Sequence, residues 1–189
     1  MLDVSLETMM ADSSIGLKRG IVRLVDHQAV WADYAAKTIH LLREILGDAA
    51  DDIQHVGSTS IPGIKAKPII DIAVATKDYE RVLSCCEELS AQGVHLRLDE
   101  RPEQLLFAMG DFAKDTRTHH IHVVQTGSKE WRGYLAFRDY LRANPDVAKE
   151  YEQTKMALAE RYPSNREAYT EGKATFITGV LRAAGIADT

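Results

Sequence analysis

A carboxylate, Asp71, lies at the centre of the apolar segment PIIDIAVA, which spans residues 68–75. If this segment is a β-strand, successive side chains point to opposite faces, so Asp71 shares one face with Ala73 and Ala75. Burying an ionised carboxylate without partners is costly in free energy. We therefore expect Asp71 either to pair with a buried cation or to form the floor of a ligand site.

The loop before this strand has the composition of an anion-binding loop. Gly57, Ser58 and Thr59 follow a predicted strand and can present backbone N–H groups and hydroxyls to an anion. Lys67 adds positive charge shortly before the strand. The spacing is not that of a P-loop, which requires GxxxxGK[ST]. The segment is a candidate phosphate-binding loop, with an ordinary turn as the alternative.

A histidine-rich segment, RTHHIHVVQ, occupies residues 117–125. Strand alternation places His120 and His122 on one face and His119 on the other. Two histidines at i and i+2 can share a metal ion, contact a phosphate or carboxylate, or transfer protons near neutral pH. Arg117 precedes them and can bind an anion through two hydrogen bonds. The alternative is that the histidines are unrelated core and surface residues.

Two further cations lie in helical patterns of the C-terminal part. Arg138 belongs to the first of these helices and Lys173 to the last. We predict that one cleft is lined by Ser58, Asp71, His120 and His122. We expect the Arg138 and Lys173 side chains to reach this cleft and complete an anion-binding pocket. Charges on a solvated helix face are the alternative.

The periodicity predicts a mixed α/β core followed by helices. Strands are expected at 21–25, 52–56, 68–75, 94–98, 104–109 and 119–125. Helices are expected at about 31–45, 79–92, 129–142, 145–161 and 165–184. The predicted organisation is a flexible N-terminal tail (1–18), an α/β core (19–127) and a helical C-terminal part packed on that core (128–189).

Composition excludes several classes of function. The 189 residues are 45% hydrophobic and 27% charged, and the net charge is −5, which argues against a large nucleic-acid-binding surface. No apolar run approaches the roughly 20 residues of a membrane-spanning helix, and the N-terminus does not have the pattern of a secretory signal. The two cysteines, Cys85 and Cys86, are adjacent and cannot form a metal cage. These features predict a cytoplasmic protein.

Three segments carry a resemblance to a known family: HVGSTSIPGIKAKPIIDI, RTHHIHVV and FRDYLRANPDVAKEYEQTK. In this order they resemble the GrpB-like family, which is grouped with the nucleotidyltransferase fold. The resemblance covers residues 22–184. It implies an α+β protein with a nucleotidyltransferase-like mixed β-sheet core, flanking helices and a helical C-terminal part. In that fold the loop holds a triphosphate, and strand carboxylates hold divalent metal.

The sequence departs from that pattern at one position. Nucleotidyltransferases resemble one another in two carboxylates two residues apart, which hold two metal ions about 3.5–4 Å apart. Here the second position is Ala73, so the resemblance implies at most one metal, with Asp71 and His122 as its expected ligands. Mg²⁺ or Mn²⁺ fits oxygen ligands, whereas ligation by histidines favours Zn²⁺. A histidine or Glu103 could replace the missing carboxylate.

Two functions are open from the sequence. The first is metal-dependent nucleotidyl or phosphoryl transfer to an unidentified acceptor. Its expected catalytic residues are Asp71, His120 and His122, and its expected phosphate-binding residues are Gly57, Ser58, Thr59, Lys67, Arg117, Arg138 and Lys173. The second is a degenerate nucleotidyltransferase-fold module that binds a small anionic metabolite without nucleotidyl transfer. A third interpretation is a stress-linked interaction protein whose pocket is vestigial.

Overall fold

The structure is a computed structural model that describes residues 14–97 and 104–186. Strands form at β1 (Leu17–Lys18), β2 (Asp52–Val56), β3 (Ile70–Thr76), β4 (His95–Arg97), β5 (Gln104–Met109), β6 (Thr116–Arg117) and β7 (His119–Gln125). Helices form at α1 (Val30–Leu46), α2 (Tyr79–Ser84), α3 (Cys86–Ala91), α4 (Lys129–Ala143), α5 (Pro145–Arg161), α6 (Arg166–Gly172) and α7 (Ala174–Ala183). This mixture agrees with the predicted α+β class.

The main sheet contains five strands within the described residues, in the order β2-β3-β7-β5-β4. Strands β3 and β7 are parallel, and the other neighbouring pairs are antiparallel. In the parallel pair, Asp71 is opposite His120 and Ala73 is opposite His122. Residues directly opposite one another share a face of the sheet, so the register brings the carboxylate and both histidines together.

The face of the sheet away from Asp71 carries the main hydrophobic core. Helix α1 covers this face with apolar residues spaced one helical turn apart, including Trp31 and Leu42, which are almost completely buried. From β3, Ile70, Ile72 and Val74 pack into the same cluster. The alternation predicted for β3 is therefore confirmed, because its branched side chains face the core and Asp71 faces the other side.

Helices of the C-terminal part cover the opposite face. Trp131 of α4 packs against Val56, Ala73 and Val124 of the sheet. A second hydrophobic cluster joins the loop at 57–66 to helices α4, α5 and α7. Its buried members are Ile61, Ile64, Phe137, Leu141, Ala148, Tyr151 and Val180. The loop is thus held between the sheet edge and the helices. No helix of the described residues combines the length and apolarity needed to cross a membrane.

Some predicted elements differ from the structure. Residues 21–25 do not form a strand; their backbone hydrogen bonds go to Lys18, to Pro163 and, through a single bridge, to Ala66. The helix expected at 79–92 divides at Cys85, whose backbone leaves helical geometry. The helix expected at 165–184 divides at Lys173. Strand β3 starts two residues later than predicted, and residue 98 of the predicted fourth strand lies outside the described residues.

The predicted N-terminal tail is wrong for its last residues. Ile15 and Leu17 are buried, and Leu17–Lys18 pair with Thr116–Arg117. Two buried apolar side chains, of which Ile15 belongs to the main core cluster, anchor this short segment, although the residues around them are polar. Residues 1–13 lie outside the described residues.

The core assignment predicts a difference between two isoleucines. Ile72 is fully buried, whereas Ile21 is 40% exposed. We expect Ile72→Ala to lower the free energy of unfolding by about 2–5 kcal/mol, because it removes packing and leaves a cavity. Ile21→Ala should cost roughly 1 kcal/mol or less. Urea unfolding of both variants checks this, and similar losses would contradict the assignment of the core.

Candidate functional site

A cavity of about 180 Å³ opens on the face of the sheet that carries Asp71. Its walls come from the strands, from the loop after β2 and from helix α6 and the residue after it. The lining residues are Ser58, Lys67, Ile69, Asp71, Leu106, His120, His122, Arg166, Tyr169, Thr170 and Lys173. Four residues predicted to share a cleft, Ser58, Asp71, His120 and His122, therefore lie around one cavity.

The carboxylate of Asp71 lies against both imidazoles of the neighbouring strand. Its Oδ1 atom is 3.4 Å from Nδ1 of His120 and 3.7 Å from Nε2 of His122. Burial by itself raises the pKa of Asp71, but the interactions with His120 and His122 outweigh burial and hold that pKa well below its ordinary value. Asp71 is therefore ionised at neutral pH.

The two histidines have different surroundings. Burial lowers the pKa of His120, although Asp71 opposes that shift, so the imidazole is largely neutral at pH 7. A neutral ring with its proton on Nδ1 can donate to Asp71. The His122 ring lies 5.2 Å from the Tyr134 ring, and its buried Nδ1 atom has no hydrogen-bond partner. An unpartnered buried nitrogen is unusual in a folded protein and is a feature to explain.

His119 lies on the other face, as the alternation predicted. It is buried, and its Nε2 atom is 3.2 Å from the Thr38 hydroxyl of α1. Burial lowers the pKa of His119 to about 3, so the ring is neutral and serves packing on the core side.

Cations face the carboxylate across the cavity. Burial, together with the nearby charges of Lys173 and Arg166, lowers the pKa of Lys67 to about 8. Burial also lowers the pKa of Lys173. The ammonium groups lie over the Tyr169 ring, with Nζ 5.2 Å from its centroid for Lys67 and 4.7 Å for Lys173. This crowding of positive groups is favourable for an anionic ligand.

A third lysine, Lys155, lies behind the cavity wall. It is almost completely buried, and its ammonium donates to the backbone carbonyl of Lys65. Burial lowers the pKa of Lys155 to about 7, and Lys173 contributes in the same direction. Lys155 therefore holds the loop before β3 and adds to the positive field behind it.

The loop residues have separate roles. Ser58 lines the cavity, and its interaction with Tyr151 partly offsets the burial that raises the pKa of that phenol to about 12. Thr59 is buried and contacts the His55 ring, with Oγ1 3.0 Å from Nε2. Thr59 therefore does not line the cavity, and its expected contact with a phosphate has no support from the geometry.

Gly57 allows the loop to approach the carboxylate. Its φ angle is +69°, and a Cβ atom at this position would lie 2.5 Å from Oδ2 of Asp71. Any side chain would therefore both strain the backbone and displace the carboxylate. Gly57 serves this close approach, whatever ligand the loop binds.

Two predicted cations do not line the cavity. Arg138 donates from Nη1 to the side-chain oxygen of Gln54 and to the backbone carbonyl of His55, and it pairs with Asp139. It ties helix α4 to strand β2. Arg117 pairs with Asp115 at 3.3 Å. Lys67 was predicted to bind phosphate together with Arg117 and Arg138; Lys67 lines the cavity, whereas the partners of both arginines lie elsewhere.

Helix α6 supplies wall residues that the sequence analysis missed. Arg166, Tyr169 and Thr170 of this helix line the cavity, together with Lys173, the residue that follows the helix. Their spacing of three, four and seven residues puts them on one helical stripe, so the helical pattern contained this signal. Lys173 was predicted to reach the cleft, and it does. Glu103, the possible replacement carboxylate, lies outside the described residues.

The donor set does not fit two divalent metal ions. Among the residues that the structure describes, Asp71 is the sole carboxylate lining the cavity, and Ala73 occupies the second acidic position of the fold. The same residues contain no group of three or more His, Cys, Asp or Glu side chains that could hold a metal ion. A single metal bound by Asp71 and His122 stays a prediction.

Comparison with known proteins establishes the family. A family model described as GrpB protein matches residues 21–183. The chain belongs to the GrpB family. The Glutamate-rich protein GrpB of Alkalihalophilus pseudofirmus is 41% identical over 172 residues, which cover 88% of this chain and 98% of that protein. A UPF0157 protein of Pseudomonas aeruginosa is 37% identical over 165 residues, which cover 85% of this chain and 66% of that protein.

Solved structures agree with the family and with the predicted fold. The crystal structure of conserved protein GrpB from Enterococcus faecalis has a TM-score of 0.78 and 30% identity, covering 86% of this chain and 96% of that chain. A crystal structure of the Cid1 poly(U) polymerase with Mg 3′-dATP bound has a TM-score of 0.53 and 14% identity, covering 78% and 49%. At that identity the likeness shows the fold alone. This GrpB-family chain has a nucleotidyltransferase-like fold, as predicted.

The close approach at Gly57 gives a testable difference between two glycines. Gly57 and Gly63 both have positive φ angles, but a Cβ atom at Gly63 meets no atom within 4 Å. Each alanine substitution carries backbone strain of roughly 1–2 kcal/mol. Gly57→Ala should lose clearly more unfolding free energy than Gly63→Ala, because it also collides with Asp71. Equal losses in urea unfolding would show that the loop does not press on the carboxylate.

Proposed function

We propose that the cavity of this GrpB-family protein binds a small phosphate-bearing molecule, and that a nucleoside triphosphate represents its ligand class. One observation carries this proposal: Lys67, Arg166 and Lys173 line a cavity whose described walls contain a single carboxylate, Asp71. Cations forced together in a partly buried site lose solvation and repel one another. A polyphosphate would relieve that repulsion through charge-assisted hydrogen bonds.

The loop and the strand histidines fit the same ligand chemistry. The Ser58 hydroxyl can donate to a phosphate oxygen. The imidazole of His122, which also lines the cavity, can donate in the same way, whereas the ionised Asp71 repels an anion and limits how deeply it enters. A ligand would therefore be held mainly by the lysines and Arg166. In this proposal the protein is a binding module that does not carry out two-metal nucleotidyl transfer.

Calorimetric titration tests the proposal directly. ATP is titrated into the wild-type protein in EDTA, and again with Mg²⁺. We expect Lys67→Met and Lys173→Met each to weaken ATP binding at least about tenfold, since one charged hydrogen bond contributes roughly 1.5–3 kcal/mol. Lys77→Met is the control, because Lys77 is exposed and pairs with Asp51 away from the cavity lining.

Two results contradict the proposal. One is that wild-type protein binds neither ATP nor pyrophosphate under either condition. The other is that the cavity variants and the control variant bind ATP equally well. Circular dichroism of each variant confirms that the fold is retained.

The pKa of Lys67 predicts the pH dependence of binding. Because burial and nearby cations lower that pKa to about 8, Lys67 is charged below pH 8 and loses its proton as the pH rises above it. ATP affinity should therefore begin to fall as the pH approaches 8, where half of the Lys67 side chains of the free protein have lost their proton, and fall further above pH 8. Lys67→Arg should extend strong binding to higher pH, because the guanidinium stays charged. An affinity that rises with pH would contradict the assignment.

Group transfer is the second candidate, and the contact between Asp71 and His120 favours it. A histidine oriented by a carboxylate can accept a proton from an attacking hydroxyl while pyrophosphate leaves the nucleotide. The test is pyrophosphate release from nucleoside triphosphates with a small-metabolite extract as the source of acceptors. Release that is lost in His120→Gln, a variant that still binds ATP, would support transfer. Binding without release would support the binding module alone.

A further inference from the structure

A second concave region adjoins the cavity, and arginines dominate its walls. We call it the arginine cleft and define it by Arg19, Arg97, Arg117 and Arg166. Its outer part has a volume of about 640 Å³ and is lined by Arg19, Arg97 and Arg166. A smaller inner part of about 40 Å³ adds Arg117 and His120. The cleft thus ends at a histidine that also lines the cavity.

The sheet register explains why Arg97 faces the cleft. Arg97 of β4 is paired with Leu106 of β5, and Leu106 is paired with His122 of β7. Directly opposite residues share a face, so Arg97, Leu106 and His122 form one row on the side that carries the cavity. Leu106 separates the two regions and lines both of them.

The short β1–β6 sheet positions two more arginines. Leu17 is paired with Arg117, and the backbone N–H of Arg19 donates to the carbonyl of Asp115 at 2.9 Å. The side chain of Arg117 is only 7% exposed and lies 4.2 Å above the centre of the Phe112 ring. Segment 14–19, which would be a tail by composition, therefore contributes to a wall of this cleft.

Among the described residues, arginines outnumber carboxylates in the lining of the cleft. Asp115 pairs with Arg117, and Glu167 and Glu171 line the outer part. Around the inner part, the described lining residues include four arginines and no carboxylate. Arginine binds phosphate and carboxylate through two parallel hydrogen bonds, which makes several converging guanidinium groups a recognition site for such anions.

We propose that the arginine cleft binds a second small anionic molecule, one that carries a phosphate monoester, beside the ligand of the cavity. Arg166 and His120 belong to both walls, so the two ligands would lie next to each other across these side chains. The proposal goes beyond the proposed function, because it adds a second binding site with its own residues. If the protein catalyses group transfer, this phosphate monoester is the chemical class that we propose for the acceptor.

Phosphorus NMR tests this with both ligands in one sample. 3-Phosphoglycerate is the probe, because it carries a phosphate monoester and a carboxylate, and its signal is separate from those of ATP. In the wild-type protein saturated with ATP, we expect the probe signal to broaden on addition of protein. Arg97→Ala and Arg19→Ala should each weaken probe binding at least about tenfold and change ATP affinity less than about threefold.

The controls separate the two sites. Arg132→Ala removes an exposed arginine of α4 that lines neither region, and it should leave probe binding unchanged. Lys67→Met should weaken ATP binding and leave the probe bound, so the proposed function and the second site can fail independently. The proposal is overturned if the wild type does not bind the probe. It is equally overturned if neither Arg97→Ala nor Arg19→Ala weakens probe binding, or if ATP displaces the probe.

Discussion

The contact between the Asp71 carboxylate and the imidazoles of the neighbouring parallel strand sets the chemistry of this fold. Ionised Asp71 has to be stabilised within the sheet, and His120 and His122 of β7 lie within 3.4 and 3.7 Å of it. That arrangement requires the parallel register of β3 and β7. It also requires a residue without a side chain at Gly57, where the preceding loop touches the carboxylate.

Cationic side chains from other elements line the same cavity as this carboxylate. Helix α6 and the residue after it bring Arg166 and Lys173 over the sheet face, and Lys67 comes from the segment before β3. Each lysine has a lowered pKa because burial and neighbouring cations disfavour its charge. Asp71 alone does not balance this charge. This imbalance is the basis of our proposal that the region binds an anionic ligand.

Strand alternation predicted the positions of the carboxylate and the two histidines. It did not predict which cations line the cavity, because those positions depend on contacts with residues distant in the sequence. Asp71, His120 and His122 were placed on one face because a strand has a fixed period of two, and the register confirms it. Arg138 was misplaced because its partners, Gln54 and a backbone carbonyl, belong to a strand more than 80 residues away. Residues 14–18 were misjudged because two buried side chains suffice to anchor them. Two helices that were expected to be continuous divide in the structure, because tertiary packing, and not the local sequence pattern, decides where a helix ends.

The central claim is that Asp71 faces the ligand, and the ATP affinity of Asp71→Asn measures this most directly. The substitution keeps the shape of the side chain and removes its charge. Without divalent metal, the account predicts that ATP binds at least about tenfold more tightly, since one repulsive charge is removed from a site of low dielectric constant. An unchanged ATP affinity, together with a loss of several kcal/mol of unfolding free energy, would contradict the account. Asp71 would then be a structural partner of the histidines.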